Sequence, residues 1–421
     1  MSSLIRNAPS CADDREPGVL SVDAARTHLL TQVRPIAGIE RLPLRTTLDR
    51  ILAEDIISPI DVPGHANSAM DGFALRYADL DPEGRTELHC IGTAMAGQPI
   101  GKAVGAGECV RIMTGAPLPE GADTVVMQEH AEDRGERVTI GSGERKGQNI
   151  RLAGEDLARG SVALERGKRL TPADLGLIAS LGQAEVSVVR RPRVAFFSTG
   201  DELRALGEPL GEGDVYDSNR YTLFGMLSRA GVELRDLGVI PDDPDRLRAA
   251  FEEAAAHADM VITSGGVSVG DADYTKQVLA ELGEVAFWKI AMKPGRPLTF
   301  GRLGNAWFFG LPGNPVAVMV TFYQFVLPTL HQFAGETGWR PLTLQARLRE
   351  PLRKRPGRSE FVRGVLAQDP DGTTWVSSTG AQGSGILRSM SVGNCFMLLD
   401  EETGDLAAGE LVPVQPFAAF M

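Results

Sequence analysis

The chain has 421 residues, 43% apolar and 23% charged, an ordinary globular balance, and at roughly 150 residues per domain it holds about three domains. Its 48 glycines and 26 prolines fall short of the roughly 25–30% that marks low complexity, which excludes a collagen, a coiled coil and a mainly disordered chain. A formal net charge of −12 speaks against nucleic acid as a general partner, because phosphodiester backbones require a basic surface.

From the N-terminus, residues 1–18 read as a loose tail without the apolar run of a signal peptide. Ser21 begins a predicted amphipathic helix with Val22, Ala25, Leu29 and Val33 on one face. A second short helix is expected around Leu48, Ile51 and Leu52. Between about residues 60 and 150 the pattern changes to short apolar runs divided by Gly, Pro and Asp, with a hairpin turning near Asp133-Arg134-Gly135. Thr171-Pro172-Ala173-Asp174 then starts a helix with a hydroxyl cap and a first-turn proline. Leu175, Ile178 and Leu181 give that helix its apolar face, and Gly182 supplies a left-handed stop. The simplest account is a β-rich domain inserted into a helical one, whose early and late helices pack together.

From Arg193 onward, strands and helices alternate. Strands are predicted at 194–197, 234–240, 260–263, 285–290, 298–300 and 307–309, with helices at 219–230, through Leu247 and Phe251, and at 274–282 and 315–331. This alternation argues a three-layer α/β domain with a mostly parallel sheet. After Gly335 the chain returns to short strands and turns, which suggests a small β-barrel or sandwich. The expected boundaries are 19–58 with 148–190, 59–147, 191–335 and 336–421. Cys11, Cys90, Cys109 and Cys395 are scattered without a C-x-x-C, as in a reducing compartment. The most apolar stretch, Val316 to Leu327, is short for a membrane span and carries Thr321, Tyr323 and Gln324. A soluble, cytoplasmic protein without membrane attachment is expected.

Several loops could carry chemistry. Thr263-Ser264-Gly265-Gly266-Val267-Ser268-Val269-Gly270 follows a buried strand and precedes a helix, where backbone N–H groups approach an anion and the helix dipole favours it. A plain strand-to-helix turn is the simpler alternative. Leu311-Pro312-Gly313-Asn314-Pro315 is a second such loop, locally a rigid turn with Pro315 placed as a first-turn proline. Lys289 and Lys293, with Arg296 close by, form a basic cluster leaving a buried strand; it is a clamp for phosphate or oxyanion, or else a solvated face. Acids stand at strand ends: Glu202, Asp217, Asp242 and Asp273. Two carboxylates about 4 Å apart repel by roughly 4 kcal/mol at an effective dielectric of about 20. Convergence would therefore call for a divalent cation, and oxygen ligands beside phosphate favour Mg²⁺. Each acid alone is more simply a cap or turn residue.

Taken together, NSAMDGFA (67–74), RIMTGAPLPEGADTVVMQE (111–129), GQNIRLAGED (147–156), STGDEL (198–203), YDSN (216–219), TSGGVSVGDADY (263–274), KIAMKPGRPLTFG (289–301) and LPGNP (311–315) closely resemble the molybdopterin molybdenumtransferases, the MoeA and gephyrin E-domain family. Phe73 stands where an aromatic hydroxyl is common, and Asp271 where Glu is common. The resemblance implies a multidomain α/β plus β protein: a molybdopterin-binding-like α/β domain, a discontinuous helical domain, an inserted β domain and a C-terminal β-barrel, assembled as an elongated homodimer. It also implies a Mg²⁺-dependent enzyme of molybdenum cofactor biosynthesis that inserts molybdate into adenylylated molybdopterin and releases AMP, with transient contact to the molybdopterin adenylyltransferase. On this resemblance Glu202, Asp242 and Asp273 hold the cation, and Lys289 and Lys293 act on phosphate. Ser264, Gly265, Gly266, Ser268 and Pro312, Gly313, Asn314, Pro315 hold the nucleotide–pterin ligand, with Arg363 and Ser384 (and Arg358) facing molybdate. Asp71, Thr114 and Asp156 reach the cleft from the partner subunit. Two rivals are the adenylyltransferase itself, against which the NSAMDGFA and TGAPLPEG blocks argue, and a scaffold, against which the lack of an added interaction domain argues.

Overall fold

The computed structural model describes residues 18–265 and 274–420. Residues 41–188 form one compact unit, and the described residues up to 40 and from 189 onward form another.

The larger unit is built on a sheet of seven strands: β1 (Val19–Leu20), β2 (Arg193–Thr199), β3 (Glu233–Ile240), β4 (Met260–Ser264), β5 (Gly283–Ile290), β6 (Pro297–Leu303) and β7 (Ala306–Leu311). They lie in the order β1-β5-β6-β7-β4-β2-β3. Strand β6 runs antiparallel to both neighbours, whereas the remaining pairs are parallel. Alternation along the buried strands sends Val194 and Phe196 into one core and Ala195 and Phe197 into another. Helices α1 (Val22–Gln32), α2 (Ser218–Arg229) and α5 (Pro315–Phe333) cover the first face, and α3 (Pro244–His257) and α4 (Tyr274–Leu282) cover the second. This is the three-layer, mostly parallel α/β fold expected from the strand–helix alternation.

Helix α5 is 83% buried within this fold, as a core helix should be. It opens into one π-helical turn at Phe322–Val326, just before Pro328. A proline in mid-helix has no N–H for the carbonyl four residues back, here that of Gln324. Arg26 of α1 supplies the missing donor: its Nε lies 3.2 Å from Gln324 O and its Nη2 is 2.8 Å from Gln324 Oε1. Helix α1 thus belongs to the α/β core, where Ala25, Leu29 and Val33 pack. It does not share a core with the helix Pro172–Ser180, which sits with Leu52, Ile56 and Val188 in the other unit. The expected packing of those two helices is corrected: an apolar stripe fixes that a helix is covered but not by what.

Beyond α5, strands β8 (Leu344–Leu348), β9 (Ser359–Gln368), β10 (Thr374–Ser378), β11 (Cys395–Leu399) and β12 (Leu411–Pro416) close into a five-strand barrel, because β9 pairs with both β10 and β11. The short strand Met292–Lys293 adds to β9. Phe361 and Phe396 of the barrel join the core that contains α5.

In the unit 41–188, a six-stranded sheet carries cores on both faces. Its hairpin Ala131–Asp133 with Arg137–Ile140 turns where the sequence placed it, with Gly135 at φ +88°. The helix Pro172–Ser180 starts in a reciprocal capping box between Thr171 and Asp174 and stops before Gly182 at φ +73°. The helix expected around Leu48, Ile51 and Leu52 is absent. Asp49 is left-handed at φ +61°, and Ile51 and Leu52 form bridges to Arg169 and Val188. Long-range backbone pairing outcompetes a local apolar spacing too short to nucleate a helix.

Candidate active site

Parallel strands put the carboxyl ends of β2, β4 and β7 side by side, with Ser198 opposite Ser264 and Ser264 opposite Leu311. In an open α/β sheet this edge is where ligands bind. Gly265 continues β4 at φ +91°, and a Cβ there would stand 2.5 Å from Thr199 O. Only glycine fits, and its N–H donates to Leu311 O at 3.2 Å. A Cβ on Gly313 would lie 3.9 Å from the Gly265 Cα. The two glycine loops read from the sequence are therefore one surface.

Asn219, on the first turn of α2, joins them: its Nδ2 donates to Ser264 Oγ at 2.8 Å and to Gly313 O at 2.6 Å. Asp217 caps the same helix, accepting from the Arg220 N–H at 3.1 Å, and is 3% exposed. One of the four candidate acids is thus a buried helix cap. Around it the edge holds buried side-chain oxygens without partners among the described residues: Ser198 Oγ, Thr199 Oγ1, Asp217 Oδ2, Asn219 Oδ1 and Thr263 Oγ1. Each such group costs about 1–3 kcal/mol, and their concentration at one edge is a strain of the kind that functional sites carry.

The basic residues approach this edge from two directions. Lys289 is exposed at the end of β5, opposite Pro297 of β6, so it stands on the same carboxyl edge. Lys293 pairs with Glu360 of β9 at 3.3 Å. Close to that pair in charge lies Lys354, 4% exposed, whose Nζ donates to Thr403 O at 3.0 Å; burial lowers its pKa. Arg363, three residues after Glu360, is 1% exposed. Its Nε donates to Ser389 Oγ and its Nη2 to Gly383 O, each at 3.0 Å. No carboxylate pairs with it among the described residues, and burial pushes its guanidinium down to about 10. A buried cation without a counter-ion is a ready anion site. Ser384, next to Gly383, accepts at its carbonyl the N–H of Val316, one residue past Pro315. The barrel segment with Arg363 and Ser384 therefore abuts the start of α5 that follows Pro312–Pro315. Arg358 is exposed.

Glu202 and Asp242 lie exposed on neighbouring loops, tied by the Asp242 N–H donating to Asp201 Oδ1 at 3.1 Å. The Glu202 carboxylate folds over Gly200, where a Cβ would meet it at 2.5 Å. Gly266, Ser268 and Asp273 lie outside the described residues. Among the described residues no three His, Cys, Asp or Glu side chains gather to hold a metal. The two loops offer oxygen donors only, which suits a hard cation rather than zinc.

In the unit 41–188, Asp71 and Thr114 come together: the Thr114 N–H and hydroxyl both donate to Asp71 Oδ1 at 2.7 Å. These two bonds, the backbone one first, hold the Asp71 carboxyl below its ordinary range. Asp71 is poised there by Gly72, where a Cβ would lie 2.0 Å from Val126 O. Asp156 is exposed, and its N–H donates to Val62 O at 3.1 Å. The stretch leading to it pairs, through Ile150 and Arg151, with Ser68 and Asn67, so the blocks 67–74 and 147–156 lie side by side.

Three family models match in order: the MoeA N-terminal region (domains I and II) over residues 20–182, a probable molybdopterin binding domain over 195–332, and the MoeA C-terminal region (domain IV) over 345–417. A molybdopterin molybdenumtransferase of Haemophilus influenzae is 46% identical over 401 residues, covering 95% of this chain and 99% of that protein. The chain belongs to the molybdopterin molybdenumtransferase family. A second relative of that name, from Nostoc sp., is 37% identical over 83% of this chain and 82% of its own length. A solved structure of a molybdopterin biosynthesis moeA protein from Pyrococcus horikoshii OT3 superposes with a TM-score of 0.84 at 29% identity, covering 94% of this chain and all (100%) of that one.

Membership bears out the family resemblance, the mixed fold with its barrel, and the reading of an enzyme of molybdenum cofactor biosynthesis. Within this molybdenumtransferase fold, sequence reasoning left two residues without a role. Asn219 stood in the YDSN block, and its place at the start of a helix after a strand-end loop was the available signal. Lys354 had none, since burial of a lysine in a charged stretch depends on the closed barrel.

Proposed function

We propose that this enzyme inserts molybdate into adenylylated molybdopterin and releases AMP, with Mg²⁺ required. The observation that carries the reading is the joining of the Gly265 and Gly313 loops at the carboxyl edge of a sheet whose flank holds Arg363, buried and without a carboxylate partner among the described residues. A pyrophosphate needs N–H donors and closely approaching backbone, and a tetrahedral oxyanion needs fixed cationic donors in a dry setting. Glycine loops and a buried guanidinium on one unit of the chain support both needs.

Ser264, Gly265 and Pro312–Pro315 bind and orient the nucleotide–pterin ligand. Lys289 and Lys293 neutralise phosphate charge as point cations; Lys293 gives up its exposed pairing with Glu360 for a ligand at little cost, since such pairs contribute about 0–1 kcal/mol. Glu202 and Asp242 would hold Mg²⁺ together with Asp273, where the ion would supply charge neutralisation at phosphoryl oxygens. Arg363, with Ser384 beside it, receives molybdate. The exposed Asp71–Thr114 pair and Asp156 serve the cleft of the partner subunit in a homodimer, and the enzyme works in the cytoplasm.

The test is AMP release by the purified protein from adenylylated molybdopterin, with and without molybdate and Mg²⁺. Release that appears only when both are present is expected. Release indifferent to molybdate, or none at all from folded protein, overturns the reading.

A further inference from the structure

We propose that Asn219 is a positioning residue that holds the two glycine loops of the cleft in register, and that without it the nucleotide-bearing ligand loses its seat. The inference rests on the proposed function for the ligand used to probe it, but its geometry is independent of that reading.

Among the described residues the two loops have few side-chain means of holding each other. Gly265 and Gly313 have no side chains, and Pro312 and Pro315 have no N–H. A backbone bond, Gly265 N–H to Leu311 O, joins them at 3.2 Å just past the ladder pairing of Ser264 with Leu311. Asn219 is the one side chain among the described residues bonded to both: to Ser264 Oγ at 2.8 Å and to Gly313 O at 2.6 Å. Both hydrogens of its amide nitrogen are used. The amide cannot turn over, since its oxygen would then confront the Gly313 carbonyl oxygen, two acceptors without a proton between them. The side chain is anchored in turn: it sits on the first turn of α2, whose cap Asp217 is buried and bonded to the Arg220 N–H. Helix α2 thus carries the spacing between the ends of β4 and β7.

This bridge also sits among oxygens that lack partners among the described residues, Asn219 Oδ1, Asp217 Oδ2 and Ser198 Oγ. Those oxygens add nothing to the fold's stability, and their gathering around the bridge points to placement as its role. Placement is sensitive: a displacement of about 1 Å in a ligand-orienting group costs on the order of 100-fold in rate.

The test uses Asn219→Ala and Asn219→Asp in the full chain, the second keeping the shape while donating nothing to Gly313. AMP is the probe, titrated calorimetrically, and amide hydrogen exchange is followed at Gly265, Gly313 and Asn314. In both variants the AMP Kd is expected to rise about 10- to 100-fold at near wild-type stoichiometry, and KM for adenylylated molybdopterin to rise with it. Exchange at the three amides should speed up while the sheet strands stay protected. A merely structural role predicts instead fewer competent sites at an unchanged Kd; that result, or unchanged exchange at the three amides, overturns the inference. Where Asn219→Ala does not fold, Asn219→Asp decides, with Ser264→Ala, which severs one bond of the two, expected to shift exchange in the same direction by less. Should the wild type neither bind AMP nor release it, the proposed function fails, and exchange at the three amides alone judges Asn219.

Discussion

Replacing Arg363 by Met separates a ligand site from a structural strut. The side chain is 1% exposed, bonded to Ser389 Oγ and Gly383 O and lacking an acid. Depression of its pKa from the ordinary guanidinium range to about 10 corresponds to roughly 3 kcal/mol of unfavourable charge burial. Against that stand two hydrogen bonds from a charged donor, about 1.5–3 kcal/mol each. Methionine fills similar space and removes both contributions, so stability should fall by only about 0–3 kcal/mol, measured by urea unfolding. The sign with pH follows. A base whose folded pKa is lowered carries its penalty in full below about pH 10, and stability rises as the pH climbs from there toward the ordinary guanidinium value, because the unfolded chain then binds more protons. An anion beside the guanidinium cancels the penalty, so molybdate should raise the melting temperature of the wild type but not of Arg363→Met, and molybdate-dependent turnover should fall at least 100-fold. Loss of more than about 5 kcal/mol, with the molybdate response intact in the fraction still folded, refutes the reasoning and makes Arg363 a strut.

Further outcomes are expected. Thr114→Val removes the hydroxyl donor to Asp71 but keeps the backbone N–H, so the Asp71 carboxyl should move only part-way back to its ordinary range by NMR titration; since a lowered carboxylate pKa stabilises only above the ordinary value and is lost on acidification, the variant should also be less sensitive to acid. Gly265→Ala sets a Cβ 2.5 Å from Thr199 O at φ +91°, so it should cost roughly 1–2 kcal/mol for backbone handedness alone and abolish AMP binding; retained affinity would mean the loop is not the nucleotide seat. Mixing Asp71→Asn with Asp273→Asn subunits should restore part of the lost activity, because one cleft of a mixed dimer is intact; verified mixed dimers without recovery rule out sharing.

The α/β segment was legible because each of its signals is local. Helix Tyr274–Leu282 occupies the predicted residues, and α2, α3 and the strands lie within a few residues of expectation, since buried runs bounded by Gly and Asp admit few alternatives. The Thr171 capping box follows from four consecutive residues. The false helix at Leu48–Leu52 shows the converse: its spacing is helical, but its backbone is claimed by residues more than a hundred positions away.

By itself, then, the sequence determined where strands stop and helices begin at the ligand edge, because glycine at a left-handed turn, proline at a first helical turn and a capping Asp act within a few bonds of themselves. Only the tertiary structure decided the rest. It put Asn219 between Ser264 and Gly313, turned Asp217 from a candidate ligand into a cap, and left Arg363 buried without an acid. It also gave α1 to the α/β core through the carbonyl that Pro328 leaves unbonded. Each of these depends on contacts between distant segments, and a residue's charge or stripe says what it needs but not which remote partner meets that need.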